Sequence, residues 1–268
     1  MERQYSLGYV GVIDILGFGS FTKNKSRFSA IIETLEAVKL LEKNLNYNSD
    51  SSRIISFSDT IVVITKIDND NKFDYAYLKQ LISLLIMLRG IITDKMGLYT
   101  RGSVTIGEYY YDEKKKILFG PAITRAVKLA ECASEFICSE NLGQEFKDRP
   151  SALLIDKLFL NNSDQLLSKQ LKQNGVASLF RDDTNVFVKS GPFYYVNQYF
   201  WLYEEYYKNK MLGKDMDESE LLSSFIKIEE TKLNKQKEKQ EKYQLEKRCF
   251  NDFVNDISNS NLNKAPHY

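Results

Sequence analysis

Two hydrophobic periods alternate along the first 156 residues, and their order restricts the fold more than any other feature. Residues 7–16, "LGYVGVIDIL", read as a buried strand, rich in Val and Ile and too short for a helix. A loop with two glycines follows. In "SRFSAIIETLEAVKLLEKNL", Phe28, Ile31, Ile32, Leu35, Val38 and Leu41 recur at helical spacing, and Ser26 suits an N-cap. "RIISFSDTIVVITKI" has β-branched runs on both sides of Ser58-Asp59, which predicts a hairpin with its tip there. A second helix is expected from about Phe73 to Lys95, ending near Gly97. "YTRGSVTIGEYYYD" reads as a strand, "EKKK" as a polar turn and "KILFG" as a short returning strand. "PAITRAVKLAECAS" is a third helix with Pro121 in its first turn, where a missing N–H is no loss, and "SALLID" is a further strand. The order β-α-β-β-α-β-β-α-β predicts an α+β fold with an antiparallel or mixed sheet rather than a doubly wound one. Its first six elements follow the βαββαβ order of a ferredoxin-like core.

Beyond residue 156 the pattern loosens. A polar stretch, "NNSDQLLSKQLKQNG", precedes an aromatic strand, "GPFYYVNQYFWLY". From about Asp217 to Ile257 the chain is highly charged with sparse apolar positions: Leu221, Leu222, Phe225, Ile228, Leu233, Tyr243, Leu245, Phe250 and Phe253. That predicts a long helix or helix pair, whose middle, "NKQKEKQEKYQLEKR", is a solvated arm or a pairing surface.

Composition narrows the chemistry. The 268 residues carry 37 basic and 36 acidic side chains, so no whole-chain field draws in nucleic acid or a membrane surface. Cys132, Cys138 and Cys249 have no metal-ligand spacing, and an odd count argues against a disulfide framework. The single histidine is His267, which removes Ser-His-Asp, Cys-His and histidine-metal chemistry. An enzyme built from this chain would work through carboxylates, lysines, arginines and backbone groups. No signal-peptide order stands at the N-terminus, and "LKQLISLLIMLRGII", interrupted by Lys79 and Arg89, falls short of a membrane span. A soluble, cytoplasmic protein is expected.

The most conspicuous local feature is Asp14, set in the apolar run "YVGVIDIL". A carboxylate there costs several kcal/mol unless a cation pairs with it. Residues 4–22 contain no Lys or Arg. A second carboxylate, Asp59, sits at the hairpin tip, also in apolar surroundings. If strand and hairpin are sheet neighbours, the two face one divalent cation or a pair of them, as suits Mg²⁺ with water and phosphate oxygens completing the shell. "LGFGSF" then offers the backbone N–H groups of Gly17, Phe18 and Gly19 to an anion beside a helix N-terminus. Each signal alone also fits a turn or cap residue, and "GFG" matches neither the P-loop nor the dinucleotide fingerprint.

Taken together these stretches resemble the class III nucleotidyl cyclases. "VIDILGFGSF" is similar to the first-strand motif, "ISFSDTIVV" to the metal hairpin, "RGSVTIGE" to the Arg-x-Gly strand (with Arg101, Val104 and Gly107 aligned) and "FGPAITRAVKLAE" to the catalytic helix. The match covers roughly residues 7–156, making 1–200 a cyclase catalytic domain and 201–268 a helical extension. By this resemblance Asp14, the Ile15 carbonyl and Asp59 hold two Mg²⁺ or Mn²⁺ ions, which activate a ribose 3′-hydroxyl against the α-phosphate. It also implies a head-to-tail homodimer with composite sites. The family's Asn and Arg on that helix are Thr124 and Lys128 here; Lys128 keeps the charge without the planar fork, leaving Arg101 and Arg125 to share the load. The two positions that read a purine fall on Ile55 and Ile117, which cannot make those hydrogen bonds.

That pattern resembles the pyrimidine cyclases of bacterial Pycsar antiphage systems, which make cyclic CMP or cyclic UMP for a separate sensing effector. The resemblance extends to an aromatic strand, here Tyr194, Tyr195, Val196, Asn197 and Tyr199. The alternatives are a cyclase acting on ATP or GTP and a catalytically inactive nucleotide-binding module. A polymerase-type palm is disfavoured, because no Asp-Asp pair stands at the hairpin.

Overall fold

The computed structural model describes residues 4–48, 52–67, 75–139, 153–156, 187–190, 193–196, 198–203, 218–234, 247, 250, 251 and 253–255. β1 (Ser6–Ile15) runs through the middle of the sheet. It is antiparallel to β3 (Thr60–Lys66) on one side and to β4 (Thr100–Asp112) on the other. β2 (Ser52–Phe57) closes the hairpin with β3. Beyond β4 the sheet continues through β6 (Leu153–Ile155), parallel to β4, then β8 (Phe193–Val196) and β7 (Phe187–Ser190). The strand order is therefore β2-β3-β1-β4-β6-β8-β7, with β5 (Ile117–Phe119) folded back on the far end of β4.

Strand alternation divides the core in two. Tyr9, Ile13 and Ile15 of β1 join Ile61 and Val63 against α2 (Phe28–Asn48) and α3 (Tyr75–Met96), where Val38, Leu85 and Ile92 are buried. The intervening Val10 and Val12 join Ile55, Val62, Ile64 and Tyr109 beneath α4 (Pro121–Ser139), which presents the small residues Ala122 and Ala126. Asp14 shares its alternation with Val10 and Val12, so it belongs to the α4 face.

The sequence order of elements holds through β6, with local differences. The loop after Asp14 is instead a short helix, α1 (Phe18–Thr22), because Gly17 takes the left-handed φ of 80° that turns the chain directly into it. Asn24 rather than Ser26 caps the next turn: its side chain accepts from Ser26 N–H (3.1 Å) and Oγ–H (2.8 Å), and the 3₁₀ turn Lys25–Arg27 leads straight into α2. The aromatic strand is shorter than expected, giving way to α5 (Gln198–Trp201). The polar stretch 161–175 lies outside the described residues, as do 235–246 in the charged segment, Asn197 and His267.

The charged C-terminal segment contains α6 (Glu218–Asn234) and helical residues within 247–255. Among its described apolar positions five are buried, whereas Ile228 is exposed. Leu221, Phe225, Leu233, Phe250 and Phe253 belong to the same core as α2 and α3. Phe225 and Phe253 pack edge-on at 5.6 Å, and both rings meet Tyr203. Among the described residues no helix is long and apolar enough to cross a membrane.

Candidate functional site

Sheet register brings the two sequence-selected carboxylates to one end of the molecule. Asp14 pairs with Thr60 across β1–β3, and the Ile15 N–H donates to the Asp59 carbonyl at 2.8 Å, which closes the hairpin turn onto the end of β1. Ser58, with φ 55°, supplies the left-handed step in that two-residue turn. Asp59 is half-exposed at its tip.

The other cross-strand neighbour of Asp14 is Arg101, whose Nε donates to Asp14 Oδ2 at 2.7 Å. The pair is largely sheltered, with side-chain exposures of 15% for Arg101 and 23% for Asp14. Asp14 therefore has a side-chain partner in addition to the metal ion expected from the sequence. The basic partner lies 87 residues along the chain yet on the adjacent rung of the sheet, where a search of neighbouring sequence does not reach. Gly102 makes that rung possible. A Cβ there would meet the Val12 carbonyl oxygen at 2.4 Å and Leu153 Cδ1 at 3.2 Å, so only glycine lets β4 sit this close to β1.

The donor chemistry fits a hard divalent cation. Asp14 Oδ1 and the Asp59 carboxylate are oxygens at one sheet end, and the net charge of Asp14, Asp59 and Arg101 is negative. Among the described residues no group of three or more Asp, Glu, His or Cys is placed for a metal, so water or phosphate oxygens would complete the shell. In α1 the Phe21 N–H donates to the Gly17 carbonyl at 3.0 Å, leaving Phe18, Gly19 and Ser20 as the residues before the helix satisfies its own donors. A Cβ at Gly17 or Gly19 would meet nothing within 4 Å, so the turn is open on that side.

α4 places its candidates differently from one another. Thr124 and Lys128, four residues apart, share an exposed stripe. Arg125 turns toward β6, where its Nη2 donates to Asp156 Oδ1 at 2.8 Å and its Nε donates to Oδ2. That buried carboxylate raises the Arg125 pKa through hydrogen bonding. Asp156 is missing from the sequence-derived site, although it ends the apolar run "ALLID" just as Asp14 interrupts its own. The rule that singled out Asp14 applies equally there.

Ile55 and Ile117 are not brought together within one chain. Ile55 is buried on the rung Ile55–Val62–Val12–Ser103, whereas Ile117 pairs with Asp112. From Ser103 to Asp112 an extended strand rises about 30 Å. Exposed Ile117 lines a 340 Å³ cleft with Gln4, Tyr5, Tyr110, Asp112, Lys115 and Phe119. Phe119 packs against Tyr110 at 5.1 Å and edge-on to Tyr5 at 6.1 Å.

No family model and no curated protein matches the chain. Among solved structures it is similar to the adenylyl cyclase CyaB from P. aeruginosa, at 14% identity over 73% of this chain and 96% of that one, with a TM-score of 0.44. It is also similar to the monomeric guanylyl cyclase domain of the RhoGC fusion protein from the aquatic fungus Blastocladiella emersonii, at 12% identity over 59% and 85% of the two chains, with a TM-score of 0.41. A third is the catalytic core of a rhodopsin-guanylyl cyclase with converted specificity, at 11% identity over 73% and 98%, with a TM-score of 0.43.

Proposed function

We propose that this chain is a nucleotidyl cyclase that converts CTP or UTP to the 3′,5′-cyclic monophosphate and pyrophosphate. The observation that carries the reading is the convergence of Asp14, the Ile15 backbone and Asp59 at one sheet end, fixed by the β1–β3 register. Residues 1–200 form the catalytic unit and 201–268 a helical extension. Asp14, the Ile15 carbonyl and Asp59 would hold Mg²⁺ or Mn²⁺, two ions per site. When bound, these ions acidify the ribose 3′-hydroxyl and neutralise charge at the α-phosphate. The 3′-oxygen bonds to the α-phosphorus as the bond to the bridging oxygen breaks; pyrophosphate leaves and the hydroxyl proton passes to water. The turn at Gly17, Phe18 and Gly19 gives the triphosphate room and N–H donors. Arg101 holds the Asp14 carboxylate in place. Lys128 and Thr124, exposed on α4, meet the phosphates of a partner's substrate in a head-to-tail homodimer, and Arg125 stands beside them on the same helix. Far apart within one chain, Ile55 and Ile117 would shape one base pocket only from different subunits of that dimer, and neither reads a purine edge.

The cyclic product acts as a cytoplasmic antiphage messenger for a separate sensing effector. A purine-using cyclase is the second reading. The aromatic cleft around Ile117 is as compatible with it as with the first, since stacking on Tyr110 and Phe119 accepts the face of any base. Purified protein given Mn²⁺ and each of the four NTPs separates the two readings. Cyclic CMP or cyclic UMP supports the first, cyclic AMP or cyclic GMP alone moves the assignment to the second, and no product from any of them rejects both.

A further inference from the structure

The polar cluster behind α4 is larger than the site accounts for. Asp156 lies immediately after β6 with a side chain only 1% exposed. Its own N–H donates to the Val104 carbonyl at 2.9 Å, continuing the β4–β6 pairing one step and fixing its backbone to the sheet. Its carboxylate then accepts from Arg125 Nε, from Arg125 Nη2 at 2.8 Å and from Thr105 Oγ1 at 2.6 Å. One residue further along α4, the Ala126 carbonyl accepts from Ser103 Oγ at 2.6 Å. Adjacent residues of the helix are thus tied to two different strands. Two such ties fix the rotation of α4 about its axis, and that rotation decides where the neighbouring exposed stripe of Thr124 and Lys128 points.

We infer that Asp156 and Arg125 form a positioning pair that sets the orientation of α4, and with it the placement of Thr124 and Lys128 against the triphosphate. This rests on the cyclase reading. It also changes the part given to Arg125. The Nε–Nη2 edge, one of those a guanidinium uses to grip a phosphate side-on, is already occupied by Asp156. Arg125 acts through Lys128 rather than on the substrate. The bidentate geometry explains why an arginine stands here, since a lysine places charge without an orienting fork.

The test uses the full chain, the NTP that turns over, and the variants Arg125→Lys, Asp156→Asn and their combination. Asn keeps the shape of Asp156 and an acceptor for Thr105, and the Arg125 side chain is 43% exposed, so its charge is not stranded in the core. Each single variant is expected to lower kcat about tenfold or more with KM changed less than about twofold, and the double variant to be no worse than the weaker single. Amide exchange across residues 122–130 is expected to speed up about tenfold in Asp156→Asn while α2 is unchanged. If Arg125→Lys loses turnover and Asp156→Asn keeps it, Arg125 contacts substrate directly and the inference is overturned. It is equally overturned if both variants lose only thermal stability and keep kcat. Exchange is read without substrate: a wild-type chain that releases pyrophosphate from no NTP refutes the cyclase reading, while unchanged exchange in Asp156→Asn refutes the anchor itself.

Discussion

Asp14 illustrates how a single side chain answers to both stability and chemistry. Its ion pair with Arg101 is sheltered but not sealed. Removing the cation by Arg101→Met is expected to destabilise the fold by about 1–3 kcal/mol, between the values for exposed and fully buried pairs, as read by chemical denaturation. A midpoint equal to wild type would mean that Asp14 is solvated without Arg101. Asp59 behaves differently because it sits half-exposed at a turn tip and its backbone carbonyl, which a substitution retains, accepts the structural hydrogen bond from Ile15 N–H. Asp59→Ala is expected to change stability by less than about 0.5 kcal/mol while reducing turnover to background. Retained turnover would remove Asp59 from the proposed metal site. Gly102→Ala is expected to cost about 1–3 kcal/mol, because the new methyl would overlap the Val12 carbonyl oxygen and push β4 from β1.

At the scale of elements, most of what positions the site was legible in the sequence because it depends on local period and turn chemistry. The β2–β3 hairpin turns at Ser58-Asp59, the residues between its two β-branched runs, and α4 begins at Pro121. Pairings across the sheet were not legible, since nothing local to "VGVIDIL" encodes Arg101 and nothing local to "SALLID" encodes Arg125. The C-terminal segment shows the same limit. Five widely spaced apolar residues dock it, and nothing local to them encodes which core they enter. Charged groups sit at that junction too: Lys232 of α6 lies 3.7 Å from Asp94 of α3 and 3.0 Å from Glu229. Burial pushes the Glu229 pKa above its ordinary 4.5, against the pull of Lys232. A raised carboxyl pKa means that the folded state holds the proton more tightly than the unfolded chain. The contribution is therefore fully present below pH 4.5 and is lost as pH rises through the folded value. Replacing this group by Glu229→Gln is expected to flatten the pH dependence of the melting midpoint above pH 4.5, with the wild type losing ground to the variant as pH rises. Parallel curves for the two proteins would contradict the burial of that carboxyl.

The molecule as a whole joins one continuous sheet to two unequal faces. The α2–α3 face is thick and apolar and carries the C-terminal helices. The α4 face is thinner, built on alanines, and bears the Asp14–Arg101 and Arg125–Asp156 pairs. Stability resides mainly on the first face and the proposed chemistry on the second. The most direct measurement of that proposal is chromatographic resolution of products from the purified protein incubated with Mn²⁺ and CTP, UTP, ATP or GTP, beside Asp59→Ala. The expected result is cyclic CMP or cyclic UMP with matching pyrophosphate from the wild type and none from the variant. Equal product from wild type and variant, or no cyclic nucleotide from any of the four, would contradict it.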